Sequence, residues 1–460
     1  MSIANVKDTL TEQLREWDRN YFMHPTSSVR AHQEHGPSHI FTKGEGIYLT
    51  DINGKTYIDG LSSLWNVNLG HGRKDLAEAA RNQLETLPFT SSFNNFSNEP
   101  AIRVSKKIAE ITPGDLNVTF FTSGGSESNE SAFKIIREYW KLKGQPERTN
   151  IISLQKGYHG VTLGATRATG MDNFNTFGTS FAPGFLQATP YLTECEKGDT
   201  THPNYASSIR GMIEKEGPEK IAAVMMEPIQ GAGGLNVPPK GYLQAVRALC
   251  DEFGIFLIAD EIICGFGRTG KMFGVENEGI VPDFMTVAKG ITSGYVPLGA
   301  VIMRESFRDE LASLTDGILF HGFTYSGHPT SCAVALKTLE VLEKENIVSH
   351  VKEMEIVVKN GFASLIERHP HVTNDRCVGL LSAFDVFKEP ETNTPFQPAE
   401  FAAQILSKEC EDRGLIIRPV MYKGANTIVF APPLVSTKAE IEEAFAIFSD
   451  ALTAFEKRIQ

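Results

Sequence analysis

Apolar residues over positions 3–20 recur at helical spacing, with Val6, Leu10, Leu14 and Trp17 on one face; this predicts an amphipathic helix. The pattern then changes to that of strands. Residues 46–51 and 56–59 flank Asn53-Gly54, a strong hairpin signal. From about residue 100, short apolar runs at 118–121, 151–154, 222–226, 256–259, 284–288 and 298–303 predict strands. Helical patterns separate them, among them 126–143 and 239–253, the latter bounded by Pro239 and Gly254. Runs that are apolar on both faces and alternate with helices predict an α/β fold, a mostly parallel sheet covered on both sides. Beyond residue 328 the order changes: helices at 329–344, 349–368 and 438–457, and strands at 379–384, 415–418 and 427–430, predict a smaller α+β unit. The N-terminal hairpin is expected to join it, because chain ends often lie close together. The chain then divides into 1–64 and 329–460, forming the small domain from both ends, and a large domain over 65–328.

Composition narrows the class. The 460 residues suit one large and one smaller domain, or two to three. A hydrophobic share of 41% with 40 Gly and 23 Pro leaves room for a large core and excludes a disordered or collagen-like chain. The net charge of -12 disfavours a nucleic-acid surface. Six scattered cysteines without a CxxC spacing point to a reduced, cytoplasmic setting. Neither a signal peptide nor an apolar run near the roughly 20 residues of a membrane helix is visible. No metal set stands out: His32, His35 and His39 are close in sequence, but without evident acid or Cys ligands they read as surface-loop residues.

In open parallel sheets, ligands bind where strands end, so the residues after each predicted strand matter most. Thr122-Ser123-Gly124-Gly125-Ser126-Glu127 opens a helix. It is either an anion cup of backbone amides or a glycine turn with Ser126 capping the helix. Gly157-Tyr158-His159-Gly160 offers an aromatic plate and an imidazole, or an ordinary loop with a packed Tyr. Asp260 closes an apolar strand, where a carboxylate needs a partner; a salt bridge or turn cap is the alternative to a ligand. Lys289 follows Val287-Ala288 with no further charge before Arg304, a setting that can depress an amine pKa. Arg418 ends the run Leu415-Ile416-Ile417 and either binds an anion or makes a structural ion pair. No Walker motif and no Gly-x-Ser-x-Gly elbow occurs.

Taken together, an anion cup, an aromatic plate, an acid and a lysine in this order resemble a fold type I pyridoxal-phosphate enzyme. Asp260-Glu261 leading to Gly265-Phe266-Gly267-Arg268-Thr269-Gly270, with Lys289 beyond, resembles the signature of class III aminotransferases. Glu227-Pro228, Pro297-Leu298-Gly299 and the run 321–329 match as well, so the resemblance spans nearly the whole chain. Residues 64–72 and Ile417-Arg418-Pro419 are most similar to the ω-amino acid or amine:pyruvate branch.

The resemblance implies pyridoxal 5'-phosphate as cofactor and a homodimer, or a tetramer, with sites at the subunit interface. It makes Lys289 the Schiff-base lysine and proton shuttle, and Asp260 the partner of the pyridinium nitrogen. Tyr158 would stack on the ring, with His159, Glu227 and Ile262 also at the cofactor. Gly125 and Ser126 would hold the phosphate, helped by Thr324 of a second subunit. Trp65, Phe93 and Tyr158 would line the substrate pocket, and Arg418 would bind the acceptor carboxylate. The implied reaction takes an amino group from an amine or ω-amino acid to pyruvate, giving an aldehyde or ketone and L-alanine. An aminomutase, racemase or decarboxylase on the same fold, or a preference for α-ketoglutarate, are the other readings. A cofactor-sensing regulator would need a basic DNA-binding extension that residues 1–40 do not supply. One departure is Gly124, where many relatives carry Ser; the backbone cup survives it, with one hydroxyl fewer.

Overall fold

The computed structural model describes residues 3–176, 182–189, 207–392, 394–422 and 425–459. Cys195 lies outside them, and the other five cysteines are free thiols. Among the described residues, no helix is long and apolar enough to cross a membrane.

The N-terminal pattern folds as a helix, Ile3–Tyr21, whose Leu10 and Trp17 remain exposed. A short helix, Val29–His35, follows and is capped by Ser28. Three antiparallel strands come next: β1 (Phe41–Glu45), β2 (Tyr48–Asp51) and β3 (Thr56–Asp59). The Asn53-Gly54 turn forms as expected: Asp51 Oδ1 accepts the amides of Asn53 and Lys55 at 2.9 Å each, and Gly54 takes φ 86°, which Gly adopts without strain. β1 was not anticipated, because its edge residues are mostly exposed and show no alternation.

The large sheet contains β4 (Val118–Thr122), β5 (Asn150–Leu154), β6 (Phe185–Ala188), β7 (Ile221–Met226), β8 (Phe256–Asp260), β9 (Phe284–Val287) and β10 (Gly299–Met303). Their spatial order is β4-β10-β9-β8-β7-β5-β6. β5 to β9 run parallel, and β10 is antiparallel to both neighbours. The apolar runs are buried on both faces, every residue of β7 included. On one face the Gly125–Leu142 helix sets Phe133, Ile136, Tyr139 and Trp140 against Ile258, Phe284 and Val301. On the other, Val246 and Leu249 of the Tyr242–Phe253 helix join Val224 and Leu257. Each such fully buried side chain contributes about 1.5–3 kcal/mol. Gly254 ends that helix in the left-handed conformation, φ 59°.

After the helices Pro329–Lys344 and Ile347–Arg368 come β11 (Val372–Val378), β12 (Leu381–Glu389), β13 (Thr394–Pro395), β14 (Leu415–Ile416), β15 (Arg418–Tyr422) and β16 (Ala425–Phe430). Five of these six make a sheet of order β11-β12-β16-β15, with β13 on β12. β14 instead pairs parallel with β3, Leu415 opposite Ile58 and Ile416 opposite Asp59. Arg268 binds the same regions together from inside. Its Nη1 donates to the carbonyls of Leu380 and Pro432 at 3.0 and 2.6 Å, and its Nη2 to Ser62 Oγ and Asn68 Oδ1 at 2.9 and 3.0 Å. Complete burial pushes its guanidinium down to about 9.

Candidate active site

The carboxyl ends of β4, β5, β7, β8 and β9 open on one cavity of about 360 Å³. It is lined by Gly125, Ser126, Tyr158, His159, Glu227, Asp260, Ile262 and Lys289, eight residues singled out from the sequence. Each sits within a few residues of a strand end, so the fold converges on one cavity five segments that lie far apart in sequence.

The cup after β4 is built by close approach. The helix begins at Gly125 with Gly124 as its N-cap, so Ser126 does not cap it. Instead, Ser126 Oγ accepts the Val161 amide at 3.1 Å. A Cβ on Gly125 would lie 2.7 Å from Ile262 Cδ1, whereas one on Gly124 would meet nothing within 4 Å. The first amides of a helix have no acceptor within it, so this end presents donors beside open space.

Asp260 is 2% exposed and held by three hydrogen bonds. Its Oδ2 accepts from His159 Nδ1 at 2.8 Å and Asn129 Nδ2 at 2.9 Å, and its Oδ1 accepts the Ile262 amide at 3.1 Å. Sequence reasoning missed Asn129. The signal was present, since it follows Ser126 by one helical turn and therefore shares its face. His159 Nε2 is buried without a hydrogen-bond partner among the described residues.

Glu227 carries a buried carboxyl whose Oε1 accepts the Tyr158 amide and whose Oε2 accepts the Gly231 amide, both at 3.0 Å. Burial pushes it up to about 7, and Asp260 adds to that rise. Glu261, the neighbour of Asp260, points elsewhere. It accepts the amides of Gly274 and Val275 at 2.8 Å each, and burial lifts it to about 8.

Lys289 opens the turn Lys289–Thr292 with φ 47°, a left-handed conformation uncommon for a residue with a side chain. Burial lowers its pKa, against the opposing pull of Asp260 and Glu227, while the charge of Arg418 lowers it further. Tyr158 packs edge-on against Phe174, ring centroids 5.2 Å apart, and burial raises its phenol.

Trp65 and Arg418 sit together beside the cavity, Arg418 near Tyr158, without lining it. The Arg418 guanidinium carbon lies 4.9 Å over the Trp65 ring, a cation–π contact. Trp65 is buried with φ 57°, and its neighbours Leu64 and Asn66 line the cavity. Arg418 has no ion pair to a described residue, contrary to the structural alternative, and burial lowers its pKa. Two further expected residues are also off this cavity in their own chain. Phe93 is exposed and faces Gly322, and Thr324 is exposed on the loop before Pro329.

One expectation about histidines needs correction. His32 is not a loop residue without an acid: it lies on the Val29–His35 helix with Nε2 2.7 Å from Asp18 Oδ1. Asp18 escaped notice because it belongs to the preceding helix. His35 is exposed, and His39 pairs with Glu411.

The aminotransferase class-III family model matches residues 29–452. The chain is 37% identical over 442 residues to the putrescine–pyruvate aminotransferase of Pseudomonas aeruginosa, spanning 94% of this chain and 95% of that one. It is also 37% identical over 429 residues to a probable γ-aminobutyrate transaminase 3 of Oryza sativa subsp. indica, spanning 91% and 83%. Among solved structures, it is similar to a transaminase from the marine bacterium Virgibacillus, with TM-score 0.94 and 44% identity over 97% of this chain and 100% of that one. The Pseudomonas jessenii ω-transaminase in complex with PMP superposes with TM-score 0.91 and 34% identity, over 97% and 99%. Enzymes of this family depend on pyridoxal phosphate, and their fold is that of fold type I. With strand ends, cup, acid and lysine arranged as described, this chain belongs to the class III aminotransferases.

Proposed function

We propose that the chain is a pyridoxal-phosphate transaminase that moves an amino group from an amine or ω-amino acid donor to pyruvate, releasing an aldehyde or ketone and L-alanine. The observation that carries this reading is one cavity holding the Lys289 amine, the Asp260 carboxylate and the Gly125-Ser126 helix start.

These residues suit the cofactor on structural grounds. Unpaired helix amides beside the open space at Gly124 suit a phosphate, and the acceptor position left on the oriented Asp260 carboxylate suits a protonated ring nitrogen. When bound, pyridoxal phosphate supplies an electron sink for the carbanion formed on the substrate. Gly125 and Ser126 would hold the phosphate through backbone amides. Tyr158 and Ile262 would wall the ring, and Asp260, oriented by His159 and Asn129, would keep its nitrogen protonated. Glu227 fixes the loops bearing Tyr158 and Gly231, which holds Tyr158 against the cavity.

The lowered pKa of Lys289 leaves more of its amine unprotonated near neutral pH, so it can take the proton from the substrate carbon and return it. Arg418, lacking a carboxylate partner among the described residues and lying over the Trp65 ring, keeps N–H donors for the acceptor carboxylate. Phe93 and Thr324, exposed in the single chain, would complete the site of a second copy in a homodimer or tetramer. The N-terminal 64 residues and residues 329–460 are read as one small domain, supported by the pairing of β3 with β14.

Purified Lys289→Ala protein mixed with pyridoxal phosphate, an amine donor and pyruvate tests this reading. The expected result is cofactor binding without alanine formation; turnover in this variant would overturn the role of Lys289. Running α-ketoglutarate beside pyruvate in the wild-type enzyme decides the acceptor, and faster turnover with α-ketoglutarate would overturn the pyruvate assignment.

A further inference from the structure

The N-terminal segment carries a cluster that the proposed reaction does not use. Asp18 lies in the last turn of the Ile3–Tyr21 helix, His24 in the turn that follows, and His32 on the Val29–His35 helix. His24 Nε2 is 3.0 Å from Asp18 Oδ1 and 3.1 Å from Oδ2, and His32 Nε2 is 2.7 Å from the same Oδ1. The three ligand atoms all lie within 4.8 Å of one another. None of the three residues lines the active-site cavity.

From this geometry we infer that Asp18, His24 and His32 form a binding site for a divalent transition-metal ion, zinc in the first place, that staples the two N-terminal helices together. Two imidazole nitrogens and one carboxylate oxygen are a donor set suited to zinc and its first-row neighbours rather than to magnesium or calcium. Ligands at about 2.1 Å from one ion stand about 3.0–3.4 Å apart, so the two His–Asp spacings need to open by only a few tenths of an ångström, and the two imidazole nitrogens already lie within 4.8 Å of each other. The imidazoles are held in place before any ion arrives. Phe22 lies against His24 at 4.4 Å between centroids, and the two imidazoles are 4.5 Å apart. Ser27 Oγ donates to the His24 carbonyl at 2.8 Å, and Ser28 caps the second helix, so the connecting turn is itself fixed.

A bound ion would replace the two Nε2 protons that now point at Asp18. The His24 side chain is 30% exposed, compared with 17% for Asp18 and 11% for His32, which leaves water access for the remaining coordination positions.

The test uses the full chain, without a histidine tag, as cofactor-loaded enzyme first treated with a chelator. Titration with cobalt(II) should give ligand-field absorbance at wavelengths beyond the cofactor band, saturating at one equivalent per chain. Zinc should displace the cobalt. His24→Gln and His32→Gln should each abolish the signal while the circular dichroism spectrum and the cofactor absorbance stay those of the wild type. His35→Gln should leave it intact. Zinc should also slow proteolytic cleavage between the two helices in the wild type only. The inference is overturned if the wild type takes up neither ion at tenths of a millimolar, or if His32→Gln binds cobalt as the wild type does.

Discussion

His159 Nδ1 donates to Asp260 Oδ2 across 2.8 Å, deep in the core and between residues of two different strand ends. The imidazole thereby sets the carboxylate's rotation, while Asn129 bonds to the same oxygen. His159→Phe removes one buried bond to a charged group, a loss of about 1.5–3 kcal/mol, or roughly 10–100-fold. Cofactor affinity measured by fluorescence quenching should fall by that factor. His159→Asn, which keeps a donor near the Nδ1 position, should recover much of it; equal losses in both variants would remove the orienting role.

The contact between Gly125 and Ile262 makes a two-residue prediction. Gly125→Ala places a methyl 2.7 Å from Ile262 Cδ1 and should displace the helix start, weakening phosphate and cofactor binding. Ile262→Val deletes that Cδ1. The double variant should bind the cofactor more tightly than Gly125→Ala alone, a non-additivity expected of residues in contact.

Arg418→Ala should separate the two half-reactions. Two charge-assisted hydrogen bonds to the acceptor carboxylate are worth about 3 kcal/mol or more, roughly 100-fold in kcat/KM. Stopped-flow rates with pyruvate should show that loss, and rates with a monoamine donor should change little. A uniform drop in both would mean that the arginine serves structure, through its stack on Trp65.

Glu227 gives a pH dependence with a definite sign. Its folded pKa, about 7, lies above the ordinary glutamate value of 4.5. Between these values the folded state holds the proton more often than the unfolded one, so this group's contribution to stability falls as pH rises from about 4.5 to 7. The shift corresponds to about 3 kcal/mol. Urea unfolding of the cofactor-free protein should show Glu227→Gln with a flatter profile than the wild type across that window. The absolute stability of Glu227→Gln should be lower at acid pH, because an amide cannot accept from both Tyr158 and Gly231.

Much of the site was legible because strand ends are legible. Asp260 and Lys289 each follow a buried apolar run, and a charge in that position has few explanations. Gly125 was readable as a glycine, though its reason, the Ile262 side chain, was not. What escaped depended on contacts between distant segments. Asn129 reaches Asp260 from another element, and Asp18 reaches His32 across a turn. β6 and β11 were missed for a different reason: their residues are partly exposed and lack the two-sided apolar run that marks β7. The antiparallel β10 was found as a strand, but its direction follows from the connection before it and not from its own residues.

The buried Arg268 fixes an order of events during synthesis. Its guanidinium takes acceptors from Ser62 and Asn68, made early, and from Leu380 and Pro432, made late. β3 likewise waits for β14 before its outer edge is covered. Until the ribosome has released the last quarter of the chain, the growing polypeptide must keep this cation hydrated and that strand edge open. Contacts of such long sequence separation close slowly. The nascent large domain can build its sheet while it waits, but its rim stays unfinished, and that is the stage at which an open strand edge exposes the chain to aggregation.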